Sequence, residues 1–116
     1  MSTRGFSWKN VLIAAACFAL IVAVPRVSGQ DKGDVAKGKS NFEDNCAVCH
    51  NSDSEEVKMG PGLKGLFARD KMKNGKKPTE ANVRALINAG GNGMPSFSDA
   101  LTDGERNDVV AYLKTL

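Results

Sequence analysis

The sequence predicts an all-α fold with three main helices and one short helix. Three stretches of the chain repeat apolar residues every three or four positions, which is the spacing of one face of a helix. A residue type that favours the N-cap precedes each of them, at Asp34, Thr79 and Thr102. No stretch alternates apolar and polar residues as a half-buried strand does. We therefore expect helices joined by irregular loops, without a sheet.

The first helix is predicted to follow Asp34 and to run to about Asn45. Its inward positions would be Val35, Gly38, Phe42 and Cys46. Glycine inside a helix costs about 1 kcal/mol relative to alanine. A close crossing with another helix would explain Gly38, and the alternative is a glycine tolerated at the surface.

The next two helices are predicted from apolar spacing and end signals. A short helix would carry three large apolar residues, Leu63, Leu66 and Phe67. The second main helix is expected to begin after Thr79 and to end at Gly90, because glycine is common just beyond a helix C-terminus. Its inward residues would be Val83, Leu86 and Ile87.

The last helix has the clearest start signal. Thr102 and Glu105 have the spacing of a capping box, in which each side chain accepts a hydrogen bond from the backbone N–H of the other. One face of this helix would hold Val109, Tyr112, Leu113 and Leu116. These residues give the domain a final apolar face.

Residues 1–29 have the character of a secretory signal peptide. Arg4 and Lys9 form a positive n-region, and an apolar run of 14 residues follows at positions 11–24. Small residues then lead to Gly29, the expected cleavage site. The run is short for a membrane span, which makes an uncleaved anchor the alternative. We therefore expect a domain of residues 30–116 that is exported to the periplasm, or anchored facing it if the signal is not cleaved.

The charge of the mature part argues against nucleic acid as a partner. The whole chain has a formal net charge of +3, but three of its basic residues lie in the predicted signal peptide. Removing them leaves thirteen basic and thirteen acidic residues, so a basic surface for nucleic acid is not indicated. Few large side chains remain in the mature part, and a domain of this size has difficulty in building a core unaided.

Cys46-Ala47-Val48-Cys49-His50 is a C-x-x-C-H sequence, the attachment signature of a c-type haem. Two thiols add across the two vinyl groups of the porphyrin, and two intervening residues on a helical turn bring both sulfurs to those groups. The imidazole of His50 then follows as the proximal axial ligand of the iron. A buried porphyrin would also supply the large apolar element that the core lacks. We therefore expect one covalently attached haem, with the helices wrapped around it.

Other interpretations of the two cysteines are less well supported. A thioredoxin-like redox pair would follow a βαβ pattern, and none precedes Cys46. A structural zinc site needs four ligands, but the only further Cys or His in the chain is Cys17, within the predicted signal peptide. A disulfide between Cys46 and Cys49 would leave His50 unexplained.

The ordered set of motifs over residues 34–116 resembles the class I cytochromes c. The set runs through Gly38 and Phe42, Cys46–His50, Lys58-x-Gly60-Pro61-x-Leu63-x-Gly65-Leu66, Gly93-Met94-Pro95 and Tyr112. The resemblance implies the cytochrome c fold, in which the first and last helices cross near Gly38 and Tyr112. It also implies that the carbonyl of Pro61 accepts a hydrogen bond from the ring of His50, which fixes the ring and tunes the iron.

The sixth iron ligand is expected to be a methionine, since the chain has no second histidine. Met94 is favoured because glycines and Pro95 give it an irregular loop that can aim its side chain. Met59 would draw Gly60 and Pro61 away from the face of His50. Met72 lies among lysines and is expected to be exposed. Iron without a sixth protein ligand, and Met94 as a core residue only, are the remaining alternatives.

The resemblance implies an electron carrier rather than an enzyme. With both axial positions closed by protein, the iron would change oxidation state without binding a substrate. The expected partners are redox proteins: membrane oxidoreductase complexes, a terminal oxidase or reductase, or a dehydrogenase. The chain is expected to be a monomer that binds no nucleic acid. Four lysines of the 69–78 loop form either an ordinary solvated loop or a basic docking patch for an acidic partner: Lys71, Lys73, Lys76 and Lys77.

Two other functions remain open at the level of the sequence. The first is a ligand-binding or catalytic haem protein, with an open sixth position or a labile Met94, that would bind a diatomic gas or peroxide. The second is a haem subunit of a larger complex such as a dehydrogenase. A carbon monoxide difference spectrum separates the first of these from an electron carrier, and co-purification separates the second.

Overall fold

The computed structural model describes residues 32–116, which form helices and loops. The main helices are α1 (Val35–Asn45), α2 (Glu80–Ala89) and α3 (Asp103–Leu113), and a short 3₁₀ helix spans Leu66–Ala68. Extended pairing in this part of the chain is limited to one isolated bridge between Gly91 and Met94. The predicted all-α class with three main helices and one short helix is confirmed. The proposed signal peptide at 1–29, its cleavage site and Cys17 lie outside the described residues.

The three main helices begin at the predicted capping residues. The Asp34 carboxylate accepts hydrogen bonds from the backbone N–H groups of Ala36 and Lys37 (2.9 and 3.0 Å). At α3, the Thr102 hydroxyl accepts from the Glu105 N–H, and the Glu105 carboxylate accepts from the Thr102 N–H. The predicted capping box is therefore present, because both of its partners are set by local spacing.

Because of these caps, we expect the stability of the fold to depend on pH in the acidic range. A backbone N–H from Lys37 lowers the pKa of Asp34, and one from Thr102 lowers the pKa of Glu105. A carboxyl group whose pKa is lower in the folded than in the unfolded state stabilises the fold at pH values above its unfolded-state pKa of about 4. This stabilisation is lost as the pH falls through the folded-state pKa. We expect the thermal midpoint of the holoprotein to decrease as the pH is lowered from 5 to 2. Calorimetry of the Asp34→Asn, Glu105→Gln double variant should show a shallower fall, and an equal slope would contradict this assignment.

Helices α1 and α3 cross at Gly38, where the glycine leaves room for close contact. A Cβ atom at Gly38 would overlap the carbonyl oxygen of Asp108 and lie 3.0 Å from Tyr112 Cβ. Beside this point the rings of Phe42 and Tyr112 pack at a centroid distance of 5.5 Å. The Asp34 N–H donates to the Asp108 carboxylate across the same interface (2.6 Å). The predicted close crossing at Gly38 and Tyr112 is confirmed.

The core lies between the three helices and the loop that contains the 3₁₀ helix. Its buried apolar side chains are Phe42, Cys46, Leu63, Leu66, Val83, Ile87, Leu101, Val109, Val110 and Leu113. Phe67, Met72, Met94, Phe97, Tyr112 and Leu116 are partly buried against it. The inward faces predicted for α2 and α3 are therefore largely confirmed, with Leu86 half-buried.

Three details of the predicted packing are wrong. Val35 is 45% exposed, because it is the first residue of α1 and precedes the crossing at Gly38. Met72 is half-buried against the core rather than exposed, because its loop folds back through a Met72 N–H to Lys76 carbonyl hydrogen bond (2.8 Å). The short helix begins only at Leu66, since Gly65 adopts a left-handed conformation (φ 66°) just before it.

No helix within residues 32–116 has both the length and the apolar character needed to cross a membrane.

Candidate functional site

The C-x-x-C-H motif forms one turn that continues α1. The N–H of Cys46 donates to the carbonyl of Phe42 inside the helix, and the N–H groups of Cys49 and His50 donate back to the carbonyl of Cys46 (each 3.0 Å). Cys46 is buried and Cys49 is half-buried, and both thiols are free. Both cysteines therefore lie on a single turn, as the sequence analysis expects for haem attachment.

The imidazole of His50 is fixed from one side by the chain that follows. Its Nδ1–H donates to the carbonyl oxygen of Pro61 (2.8 Å), which leaves Nε2 free to bind a metal. A Cβ atom at Gly60 would overlap the ring carbon Cε1 and lie 2.8 Å from Nδ1. The Gly60 N–H also donates to the carbonyl of Cys49 (2.8 Å). Gly60 is therefore needed for close approach of the backbone to the ring, and Pro61 for its orientation.

An arginine that no sequence motif marks holds this segment in place. The Arg69 guanidinium donates to the carbonyl oxygens of Gly62 (2.9 Å) and Lys64 (2.7 Å). The Leu63 N–H donates to the carbonyl of Asn51 from the other side (2.7 Å). No residue spacing encodes these contacts, since the acceptors are main-chain carbonyls of a loop. The acceptor for His50 is thus supported by a chain of hydrogen bonds.

The surroundings of the thiols do not suit thiol–disulfide chemistry. Burial, and secondarily the neighbouring Cys49, raises the pKa of the Cys46 thiol to about 11. An attacking cysteine of a redox pair needs a lowered pKa instead, because the thiolate is the nucleophile. Within residues 32–116 the structure also brings together no three His, Cys, Asp or Glu side chains that could hold a metal ion. The redox-pair and zinc interpretations therefore lose their support.

Met94 lies at the end of a two-residue turn. The Gly91 N–H donates to the Met94 carbonyl (2.9 Å), and the Met94 N–H donates to the Gly91 carbonyl (3.1 Å). The central residues, Asn92 and Gly93, both have positive φ (53° and 87°), as a tight type I′ hairpin turn requires. Met94 is half-buried and packs against the core. The glycines thus give a defined turn where the sequence predicts an irregular loop.

The other two methionines of the described chain have different surroundings. Met59 is 78% exposed, and its sulfur lies 3.8 Å from the sulfur of Cys49. Met72 is packed against the core by its own loop. Of the three, Met94 alone follows a turn with fixed hydrogen bonds on its N-terminal side.

The side chains at this site fit a c-type haem. Two free thiols lie on one helical turn, and the next residue is an imidazole whose second nitrogen is free. Cys46 belongs to the buried apolar core, and Ala47 and Met94 are partly buried against the same core. Soft thioether and imidazole donors are those that hold haem iron in electron-transfer proteins.

Comparison with known proteins identifies the family. The model of the family described as "Cytochrome c" matches residues 35–116, which is most of the chain. The chain belongs to the cytochrome c family. Its cofactor is accordingly haem c, one per chain and covalently attached, as the sequence predicts. The cytochrome c fold expected from the sequence is likewise confirmed.

Individual cytochromes c6 resemble this cytochrome c closely enough to align over most of its domain. It is 36% identical to cytochrome c6 of Synechocystis sp. over 80 residues, which are 69% of this chain and 63% of that protein. It is 28% identical to cytochrome c6 of Thermosynechococcus vestitus over 105 residues, 90% of both chains. The crystal structure of cytochrome c6 from the diatom Phaeodactylum tricornutum superposes with a TM-score of 0.59 at 33% identity, covering 72% of this chain and 93% of that one.

Covalent attachment of the haem gives a direct test of the motif. We expect the haem of the wild-type cytochrome to survive acid–acetone extraction and denaturing electrophoresis, because each thiol forms a bond to the porphyrin. Cys46→Ser and Cys49→Ser should each lower the amount of haem that remains with the protein. An absorption spectrum of the extracted protein measures this, with Met59→Ala as a control at a neighbouring sulfur. Free loss of haem from the wild type would contradict covalent attachment.

Proposed function

We propose that this cytochrome c is an exported electron carrier in which His50 and Met94 are the axial ligands of one haem. The main observation behind this proposal is that the imidazole of His50 is fixed. Its Nδ1–H donates to the carbonyl of Pro61, and Gly60 lies against the ring. A ring locked in this way presents Nε2 in one orientation. Met94, on its own hydrogen-bonded turn, supplies the second donor.

Each residue of the proposed site has a distinct physical task. Cys46 and Cys49 would hold the porphyrin by thioether bonds, and the acceptor at Pro61 strengthens His50 as a donor. The thioether of Met94 is a soft, neutral donor that occupies the position where a small ligand would otherwise bind. The haem supplies one-electron iron chemistry, at a potential set by its axial ligands.

The same site provides no group for acid–base or nucleophilic catalysis. His50 is the only histidine of the chain, and the proposed ligand role occupies its second nitrogen. Both cysteines of the motif are used for attachment. The proposed function is therefore electron transfer without a chemical reaction on a substrate, rather than an enzymatic activity.

The partners and location are part of the proposal. Export is proposed because residues 1–29 have the pattern of a signal peptide, and an exported carrier would meet membrane oxidoreductase complexes and a terminal oxidase or reductase. The four lysines of the 69–78 loop are all exposed, which is compatible with steering an acidic partner. Mass spectrometry of the native protein should give an N-terminus at Gln30, and an intact N-terminus in a membrane fraction would favour an anchored form.

A redox titration followed by optical spectroscopy tests the proposed function. We expect a single reversible one-electron transition in the purified holoprotein. Carbon monoxide should leave the spectrum of the reduced protein nearly unchanged, because Met94 closes the sixth position. Rapid and complete carbon monoxide binding would instead identify a ligand-binding haem protein.

A further inference from the structure

A buried arginine stands where the helix pattern requires an apolar side chain. The buried face of α3 consists of Arg106, Val109, Val110 and Leu113, at the spacing of a core-facing helix. Arg106 is only 7% exposed. Burial deprives a guanidinium of its hydration, so the position requires groups that accept its hydrogen bonds.

The acceptors are main-chain carbonyls of the segment that follows Met94. Nη1 of Arg106 donates to the carbonyl oxygens of Phe97 (3.2 Å) and Ser98 (3.1 Å) and also to that of Leu101. Nη2 pairs with Asp103, the first residue of α3. A single side chain therefore ties residues 97–101 to the start of α3.

This segment is attached to Met94 by only two residues. The Phe97 N–H also donates to the carbonyl of Ile87 in α2 (3.0 Å), so the segment is held between α2 and α3. On the other side of Met94 lies the turn from Gly91. The thioether is thus carried by a short stretch that is fixed at both ends, and Arg106 supplies the contacts on its C-terminal side.

The apolar pattern of α3 does not explain an arginine at this position. Its Nε–H is buried and has no hydrogen-bond partner within the described part of the chain. An unpaired buried donor destabilises the fold. Replacing a whole buried ion pair by apolar residues of similar volume is often neutral or stabilising, whereas removing only one partner leaves the other groups unpaired and destabilises the fold. A leucine would continue the apolar face of α3, but it would leave the carbonyls of Phe97, Ser98 and Leu101 without these donors. The contacts with the loop are therefore the feature that the guanidinium provides.

We infer that Arg106 is a positioning residue for Met94: its guanidinium holds residues 97–101 so that the Met94 thioether remains available to the iron. This inference rests on the proposed role of Met94 as the sixth ligand. Arginine suits the task because its planar fork presents five N–H donors in a fixed arrangement. Lysine has one ammonium group and cannot reproduce that arrangement.

Imidazole titration of the ferric holoprotein tests the inference, because added imidazole competes with Met94 for the iron. In Arg106→Leu we expect the apparent affinity for imidazole to rise by about tenfold or more, since the loss of charge-assisted hydrogen bonds favours an open segment. Arg106→Lys should give an affinity between those of the wild type and Arg106→Leu, which keeps the test valid if the leucine variant does not fold.

Two controls separate the possible failures. Arg84 also pairs with Asp103 (3.0 Å) but has no hydrogen bond to the loop carbonyls, so Arg84→Leu should bind imidazole as the wild type does. Met94→Ala should bind imidazole far more tightly than the wild type or Arg84→Leu. If Met94→Ala behaves in this way while Arg106→Leu and Arg106→Lys match the wild type, the positioning role is overturned and the ligand role stands. If Met94→Ala itself matches the wild type, the proposed ligand is wrong.

Discussion

Replacing Met94 by alanine should convert this cytochrome from a closed redox centre into one that binds carbon monoxide. The thioether favours ferrous over ferric iron, so its loss should lower the reduction potential by on the order of 100 mV or more, within the span that axial ligands command. The same change should abolish the weak far-red absorption of the ferric protein that arises from the family's sulfur–iron bond. Potentiometry and optical spectra of one preparation measure all three effects.

The other methionines provide matched controls for this substitution. Met59 is largely exposed, so Met59→Ala should leave potential, far-red band and stability unchanged. Met72 packs against the core, so Met72→Ala should lower the thermal midpoint while leaving the potential and the band in place. An unchanged spectrum and potential in Met94→Ala would exclude it as the ligand, and a loss of the band in Met59→Ala would point to Met59 instead.

The largest effect on stability is expected for Gly38→Ala. A methyl group at this position overlaps the carbonyl oxygen of Asp108, and a backbone atom cannot rotate away as a side chain can. Helices α1 and α3 must therefore separate, and we expect the free energy of unfolding to fall by about 3 kcal/mol or more despite the better helix propensity of alanine. Denaturant unfolding of the holoprotein measures the change.

Gly104 offers the control for this prediction, because it also lies in a helix. A Cβ atom there would meet its nearest neighbour, the hydroxyl of Thr102, only at 4.0 Å. Gly104→Ala should therefore stabilise the protein slightly, by up to about 1 kcal/mol. A Gly38→Ala variant as stable as the wild type would show that the crossing can open without cost, contrary to the packing described here.

Sequence patterns predict those features whose causes are local. The capping box of Thr102 and Glu105 needs two residue types three positions apart, and both side chains make the expected hydrogen bonds. The C-x-x-C-H spacing likewise forms the single turn that haem attachment requires. The glycine at position 38 falls on the predicted inward face of its helix, where a close crossing would explain it, and the crossing is present.

The features that sequence patterns do not predict depend on distant backbone. Arg69 and Arg106 each bind carbonyl groups of loops, and every residue type carries such a carbonyl. No sequence signal distinguishes Arg69 from a surface arginine, whereas the apolar spacing of α3 places Arg106 on its buried face. The exposure of Val35 and the burial of Met72 also depend on which neighbouring segment covers them, which local spacing does not determine.

The crossing of α1 and α3 has a consequence for the order of events during maturation. The hydrogen bond from the Asp34 N–H to Asp108 joins residues 74 positions apart, so nearly the whole domain must be present before the crossing forms. Such non-local closure is slow, because chain entropy is lost before the contact is gained. The closed fold buries Cys46 and keeps its thiol protonated, with a pKa of about 11. Because the closed fold covers this thiol, we expect haem to attach faster to the open chain than to the closed domain.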